Sequence, residues 1–406
     1  MSLSQVPSGQ TQPPLAGLKI LDLTQFVAGP YCTLLLADLG AEVYKIELPG
    51  KGDVYREAGP YFVEDQSSLF LSLNRNKKSV AIDFRQPAGR ELVQRLVGMV
   101  DVLVENSRPG ALQRYGLGYD DVRPLNERLV YCSITGYGQS GPLSHLGGFD
   151  LILQGIGGLM SVTGEQGRPP VKVGLPVLDT GAATLAAFAI VSAILGGRQT
   201  GQGRHVDVSL LDFSLACLTT VASSYFAGGV VPDRRGSASS NFAPYQAFAT
   251  ADGWITVCGS GSEEMWRRLC RALELEELET DSRFESNSKR VANEAALIDI
   301  LAPLFAERTK AEWLTILEQH GVPAGPINTV DEVFSDPQVL DSNLIIEPER
   351  GRTPIPLVGT PLRVVGEERR EHHAPPALGE HTGEVLLAAG LSNDQLRALC
   401  KAGVIA

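Results

Sequence analysis

Residues 18–47 read LKILDLTQFVAGPYCTLLLADLGAEVYKIE. The run Leu18–Leu23 is short, apolar and rich in branched side chains, which predicts a buried strand. Gly29-Pro30 interrupts it. Tyr31–Leu39 then reads as a helix stopped by Gly40, and Ala41–Glu47 as a second strand. The unit recurs. Ser79–Phe84 predicts a third strand, Pro87–Met99 an amphipathic helix, and Asp101–Glu105 and Leu129–Ile134 two more strands. Strands alternating with helices of this length specify βαβ units, hence an α/β fold around a mostly parallel sheet. Such sheets bind ligands beyond the carboxyl ends of their strands. The candidate binding loops are therefore Thr24–Gly29, Glu105–Gly110 and Thr135–Gly138.

The pattern changes near residue 150. Leu178–Leu195 and Val206–Tyr225 read as long apolar helices joined by the basic, flexible segment Gly197–Arg204. Tyr225–Pro244 is rich in Gly, Ser and Ala and reads as a linker or mobile loop. A hairpin follows, Tyr245–Thr250 and Trp254–Cys258 around Asp252-Gly253. Helices are expected at about 262–273, 291–306 and 310–320, the last with a capping box from Thr309 and Glu312. The tail returns to strands, Asn343–Ile346 and Thr360–Val365, and two short helices, the second capped by Ser392 with Gln395. The expected organisation is a disordered leader at 1–14, a large domain over 15–224, a smaller α+β domain over 225–335, and a return to the large domain over 336–406.

Composition narrows the function. The chain has 406 residues, 43% hydrophobic and 20% charged, with a net charge of −12. That is ordinary globular composition, and it argues against nucleic acid or an anionic membrane as partner. The 6 cysteines are scattered, without a C-x-x-C pair, as expected of reduced thiols in a cytoplasmic protein. The first residues lack an apolar signal segment. Leu175–Leu195 is interrupted by Asp179 and reads as a buried helix, not a membrane span. No G-x-G-x-x-G follows the first strand, and neither a phosphate loop, a zinc-binding H-E-x-x-H nor a G-x-S-x-G elbow is present. The 6 histidines have no metal-ligand spacing, so no metal site is expected.

Asp179 stands out. It is the only charge between Lys172 and Arg198, at the start of an apolar helix and beside small residues. Two readings fit. It caps the helix by accepting backbone N–H groups, or it is a desolvated carboxylate that a substrate can approach, acting as base or nucleophile. Pattern alone leaves both open.

Seven strings, in order from about residue 16 to 389, resemble the class III CoA-transferases, a family that also contains the α-methylacyl-CoA racemases. They are Leu18–Thr24 with Ala28-Gly29-Pro30; Asp38–Val43 with Lys45-Ile46-Glu47; Asn74–Ser79; Val104-Glu105-Asn106 with Pro109-Gly110; Thr200–Gly203; Gly321–Pro326; and Gly379–Thr382. The resemblance implies an interlocked homodimer whose subunits have a Rossmann-like large domain and a smaller middle domain. It places the family's nucleophilic aspartate on Asp179. It places CoA contacts on Val27, Ala28, Ile82, Asp83, Phe84, Arg85, Asn106, Ser107, Arg108, Arg114, Gly147, Gly148, Phe149 and Asp150. Arg85, Arg108 and Arg114 are candidates for the CoA phosphates, since guanidinium forks match phosphate oxygens.

The implied reaction moves CoA from an acyl-CoA thioester to a carboxylic acid through an aspartyl anhydride and an aspartyl-CoA thioester. The thioester is a substrate, and no further cofactor is needed. Backbone N–H groups near Gly181 or in Ser239–Asn241 are candidate oxyanion donors. Gln25 is placed beside the site, either bonding an intermediate or bracing its loop. Two departures refine the resemblance. Where the racemases carry a histidine base, this chain has Phe149, which cannot move a proton and so favours transfer over racemisation. The glycine-rich loop of the oxalate enzymes is replaced by Ser237–Gln246. Tyr131–Gln139 and Pro244–Phe248 look more like succinyl-CoA:glutarate transferases. The rival readings are a racemase-type isomerase and an inactive CoA-binding protein.

Overall fold

A computed structural model describes residues 12–348, 356–362 and 372–406. The expected leader at 1–14 and the end of the expected strand Thr360–Val365 fall largely outside them. Backbone contacts divide the chain into two compact units, one of 1–159, 173–222 and 343–406, the other of 160–172 and 223–342. The stretch 160–172, which the sequence reading left in the large domain, thus belongs with the second unit.

The first unit is built on six parallel strands: β1 (Lys19–Leu23), β2 (Glu42–Glu47), β3 (Lys77–Ala81), β4 (Val102–Glu105), β5 (Val130–Thr135) and β6 (Arg204–Ser209). Their order is β3-β2-β1-β4-β5-β6. This is the doubly wound arrangement, in which the order reverses between β1 and β4 and opens a crevice beyond their carboxyl ends. Alternation along β1 explains the layering. Ile20 joins Val102, Val104 and Cys132 in a core under α1 (Ala28–Asp38), while Leu21 and Leu23 join Leu103, Val80 and Leu96 in a core on the opposite face. The second face is covered by α2 (Pro87–Val97).

Helix α3 (Asp150–Ile156) leads toward α4 (Val177–Thr200), which packs along α1. Helix α4 is long and apolar enough to cross a membrane, but Leu178, Ala182, Ala183, Ala186 and Ile190 are buried in the first core. The expected helix Val206–Tyr225 is corrected: Arg204–Ser209 is the edge strand β6, followed by α5 (Leu210–Cys217) and α6 (Thr219–Gly228). Ser209 ends the strand and caps the helix, accepting from Asp212 N, so no turn residue separates the two. The expected third strand, Ser79–Phe84, lies two residues earlier, at Lys77–Ala81.

The second unit carries a three-stranded antiparallel sheet. The expected hairpin forms, as β7 (Tyr245–Thr250) and β8 (Gly253–Cys258), and Ala324–Pro326 pairs with β8 as β9. Three of its helices, α7 (Glu263–Ala272), α8 (Glu294–Phe305) and α9 (Lys310–Gln319), pack Trp266, Phe305 and Trp313 around Phe248 and Ile255. Thr309 and Glu312 form the expected capping box.

The chain then re-enters the first unit. Helix α10 (Thr382–Ala388) sits against β3, where Thr382 Oγ1 accepts from Ala81 N across 301 positions of sequence. Ser392 and Gln395 form the expected box on α11 (Asn393–Lys401), and Ile405 bridges to Ile82.

Beneath the carboxyl end of β1 lies a fully buried charge network. Asp22 accepts from Thr24 Oγ1, from Thr33 Oγ1 at 2.7 Å and from Lys77 Nζ at 3.1 Å. Lys45 donates to the Thr24 carbonyl at 2.8 Å and pairs with Asp53 at 2.9 Å. Burial alone would raise Asp22, but Lys77 and Lys45 outweigh it and hold the carboxylate well below its usual range. Burial lowers Lys77 to about 8 against the pull of Asp22. The network fixes the loop that leaves β1 toward the crevice.

Candidate functional site

The crevice at the strand-order reversal holds a cavity of about 260 Å³. Its walls come from four loops and one helix start. The β1–α1 loop contributes Phe26, Val27 and Ala28, and the loop after β4 contributes Asn106, Ser107, Arg108 and Pro109. Ile134–Gly136 closes one side and Leu146–Phe149 another, while Asp179 stands at the start of α4. Nine of the residues singled out from sequence therefore meet around one space: Val27, Ala28, Asn106, Ser107, Arg108, Gly147, Gly148, Phe149 and Asp179.

Local geometry explains how the loops meet. Asn106 clamps the β1–α1 loop, its Oδ1 accepting from Gln25 N at 2.9 Å and its Nδ2 donating to Gln25 O at 2.7 Å. Gln25 thus braces its loop through its backbone, and it does not line the cavity. Gly136 and Gly148 let two walls touch, since a Cβ on Gly148 would sit 2.6 Å from the Gly136 Cα. The Arg108 guanidinium crosses over Gly147, where an added Cβ would come within 2.9 Å of it. Among the described residues no carboxylate pairs with Arg108.

Asp179 is not the cap of its helix. The cap position is Pro176, which has no side-chain bond to offer. Asp150 takes that role from α3: its Oδ1 accepts from Leu178 N at 2.8 Å and Asp179 N at 3.3 Å. Gln154, fully buried, donates to the other Asp150 oxygen and accepts from Val173 N at 2.8 Å. The Asp179 carboxyl is left facing the cavity, half-buried. Burial, with Asp150 close by, raises it to about 7.

The other positions named from sequence lie outside the cavity. Asp150 serves as a helix cap, both its oxygens being bonded within the protein. Ile82 is fully buried and carries the bridge to Ile405. Asp83 and Arg85 pair with each other at 2.7 Å, with the Arg85 side chain largely exposed. Phe84 packs edge-on against Tyr115, their centroids 5.6 Å apart. Arg114 is exposed on the short turn Gln113–Tyr115.

The amides that precede Gly181 are engaged within the protein. Leu178 N and Asp179 N point to Asp150, and Thr180 N to the Pro176 carbonyl. Gly181 is instead a packing site, since a Cβ there would fall 2.0 Å from the Phe213 ring. Ser239–Asn241 belongs to the second unit. Among the described residues no group of three or more His, Cys, Asp or Glu could hold a metal ion.

Two aromatic neighbours complete the site: Phe26, within the candidate loop Thr24–Gly29, and Tyr55, which sequence reasoning missed. Phe26 adopts φ 66°, rare for a residue with a side chain. Its ring stands edge-on to Phe149 and to Tyr55, 5.8 Å from each. Burial and the charge of Asp179 raise the Tyr55 phenol. The loop signal was present for Phe26; nothing local marks Tyr55.

The family model described as CoA-transferase family III matches residues 15–382. The succinyl-CoA:glutarate CoA-transferase of Mus musculus is 43% identical over 376 residues, 92% of this chain and 86% of that protein. A succinate–glutarate CoA-transferase of Agrobacterium fabrum is 38% identical, covering 92% of this chain and 95% of that protein. A crystal structure of a CAIB/BAIF family protein from Brucella suis superposes with a TM-score of 0.84 at 39% identity, covering 93% of this chain and 100% of that one.

Proposed function

The chain belongs to CoA-transferase family III, whose members move CoA between acyl-CoA thioesters and carboxylic acids, and from that premise we propose that Asp179 is the nucleophile and succinyl-CoA with a dicarboxylate the substrate pair. The observation that carries this reading is the released carboxyl of Asp179, open to the cavity because Asp150 caps the helix in its place.

In the proposed reaction Asp179 attacks the thioester carbonyl. The C–S bond breaks, leaving a mixed anhydride and CoA thiolate. The thiolate attacks the aspartyl carbonyl, releases the donor acid as its carboxylate and leaves an aspartyl-CoA thioester. The acceptor carboxylate attacks that thioester, freeing the thiolate and forming a second anhydride. Attack of the thiolate on the acceptor's acyl carbon delivers acceptor-CoA and restores the Asp179 carboxylate. The net reaction breaks one thioester and makes another, so the exchange needs no external driving force, and the covalent intermediates divide it into easier steps. The cavity is below the usual 300–1,000 Å³ of a full ligand site. It suits the acyl and thioester end, and the nucleotide end extends over exposed surface, where Arg108 and Arg114 can meet phosphates. Phe149 supplies no base for racemisation. The substrate pair is tested by incubating succinyl-CoA with a panel of carboxylic acids and reading new CoA esters by mass spectrometry. Glutaryl-CoA is the expected product; hydrolysis alone, or transfer to monocarboxylates only, rejects the dicarboxylate reading.

The proposed functional form is an interlocked homodimer in the cytoplasm. Helix α4 supports the dimer, since Leu185, Phe188 and Leu195 stand 41%, 71% and 56% exposed along one helix. An apolar row of that kind on a globular unit marks an interface. Light scattering is expected to give twice the 43.5 kDa of one chain at micromolar concentration, and Phe188→Glu to shift the population toward monomer.

A further inference from the structure

Glu105 ends β4 and is 4% exposed. Its Oε2 accepts from Ser107 N at 2.7 Å. Ser107 lies in the cavity wall, between the Asn106 clamp and Arg108. Among the described residues no Lys or Arg forms an ion pair with Glu105. A buried carboxylate without a cation is costly, and a neutral glutamine could accept the same N–H. The charge therefore calls for a reason other than packing.

The surroundings supply one. In the sheet Glu105 is flanked by Leu23 on β1 and Ser133 on β5. The Ser133 hydroxyl lies 3.0 Å from His205 Nε2 on β6 and, as the Glu105 neighbour in the sheet, favours the charged carboxylate. His205 is held between Tyr119, stacked at 4.8 Å, and Tyr131, edge-on at 5.1 Å. Cys132, Tyr131 and Asp207 are the other titratable groups that feel the Glu105 charge; β1 offers none. A pocket of about 10 Å³ beside these groups, reached also by Arg108 and Gln139, has room for roughly one water. A proton can thus reach a carboxyl that is otherwise enclosed.

We propose that Glu105 is a positioning residue whose proton sets the shape of the Asn106–Pro109 loop: the carboxylate grips the Ser107 N–H and holds the loop for acyl-CoA, and protonation loosens it. The inference rests on the reading of the cavity as the acyl-CoA site. Charge-assisted bonds are about twice as strong as neutral ones, so the proton weakens the grip without abolishing it. Burial places the transition in the working range, raising Glu105 to about 7 against the opposing pull of the Ser133 hydroxyl and the Ser107 N–H, with Asp207 adding to the rise.

The test is CoA affinity by calorimetry from pH 5.5 to 8.5 for the wild type and E105Q, with thermal melts alongside. Comparing the two proteins cancels the titration of CoA itself and of Asp179. E105Q is expected to bind about fivefold more weakly at pH 8.5 and equally at pH 5.5. A constant ratio across the range, or a melting change without an affinity change, overturns the proposal. Backbone hydrogen exchange of the wild type alone gives a readout that does not depend on the variant. Protection at Ser107 is expected to fall, relative to core peptides, as pH drops below 7; flat protection overturns the proposal. Absence of CoA binding by the wild type at every pH rejects the proposed function and this inference with it.

Discussion

Asp179→Asn is expected to lower transfer by about 10⁴-fold or more, because loss of a covalent nucleophile removes the whole pathway. The substitution keeps shape and volume, so CoA affinity should change little. A structural role would give a different result, since asparagine serves helix termini about as well as aspartate. Stability adds a second signature. The folded value is raised to about 7 from the ordinary 3.8. Between those values the unfolded chain is ionised while the folded protein holds its proton, so this group makes stability fall as pH rises from about 4 to about 7. Asp179→Asn removes that penalty. It is expected to melt higher than the wild type at pH 8, by on the order of 2–4 kcal/mol, and to match it near pH 4. Single-turnover acylation of the wild type should rise about tenfold per pH unit below 7 and level off above. Hydroxylamine added during turnover should convert this side chain to a hydroxamate. Retained activity in Asp179→Asn, with no adduct on its peptide, rejects the covalent mechanism.

Asp22→Ala is expected to destabilise the first unit by about 3–5 kcal/mol, the cost of breaking a buried pair from one side. The change strands Lys77 without the one carboxylate bond it has among the described residues, although Lys45 retains Asp53. Lys77→Met should cost less, on the order of 1–2 kcal/mol. Burial already disfavours the Lys77 cation, and Lys45 still faces Asp22. Denaturant melts of both variants and of the double variant decide the matter. Equal losses from the two single changes would contradict the asymmetry drawn here. The Asp22 contribution is present above the unfolded carboxylate range and is lost as pH falls through its depressed folded value.

What could be read from the chain follows the range of the physics. The unit from Leu18 to Glu47 was legible because strand and helix each impose their own period, with Gly29-Pro30 and Gly40 between them. Val206–Ser209 was merged into a helix because Ser209 is both strand end and helix cap. Asp179 was conspicuous as a lone charge, but its release from capping depends on Asp150, 29 positions earlier. The capping task of Asp150 had no such local signal. Tyr55 and the Lys77–Asp22 pair carry no local signal, since each acquires its meaning only when distant segments fold together. The Arg85–Asp83 pair is the opposite case, with partners two residues apart.

The pairing of Ala81 with Thr382 has a consequence for how the molecule comes into being. Residues 223–342, nearly all of the second unit, leave the ribosome before α10 exists. The flank of β3 that α10 covers must wait through that interval, with Val80 and Ile82 lacking their neighbours Val385 and Leu386. Contacts so distant in sequence close late and slowly. During synthesis the first unit is thus an unfinished sheet, and a nascent chain halted near residue 345 would present an apolar flank to chaperones that the completed protein conceals.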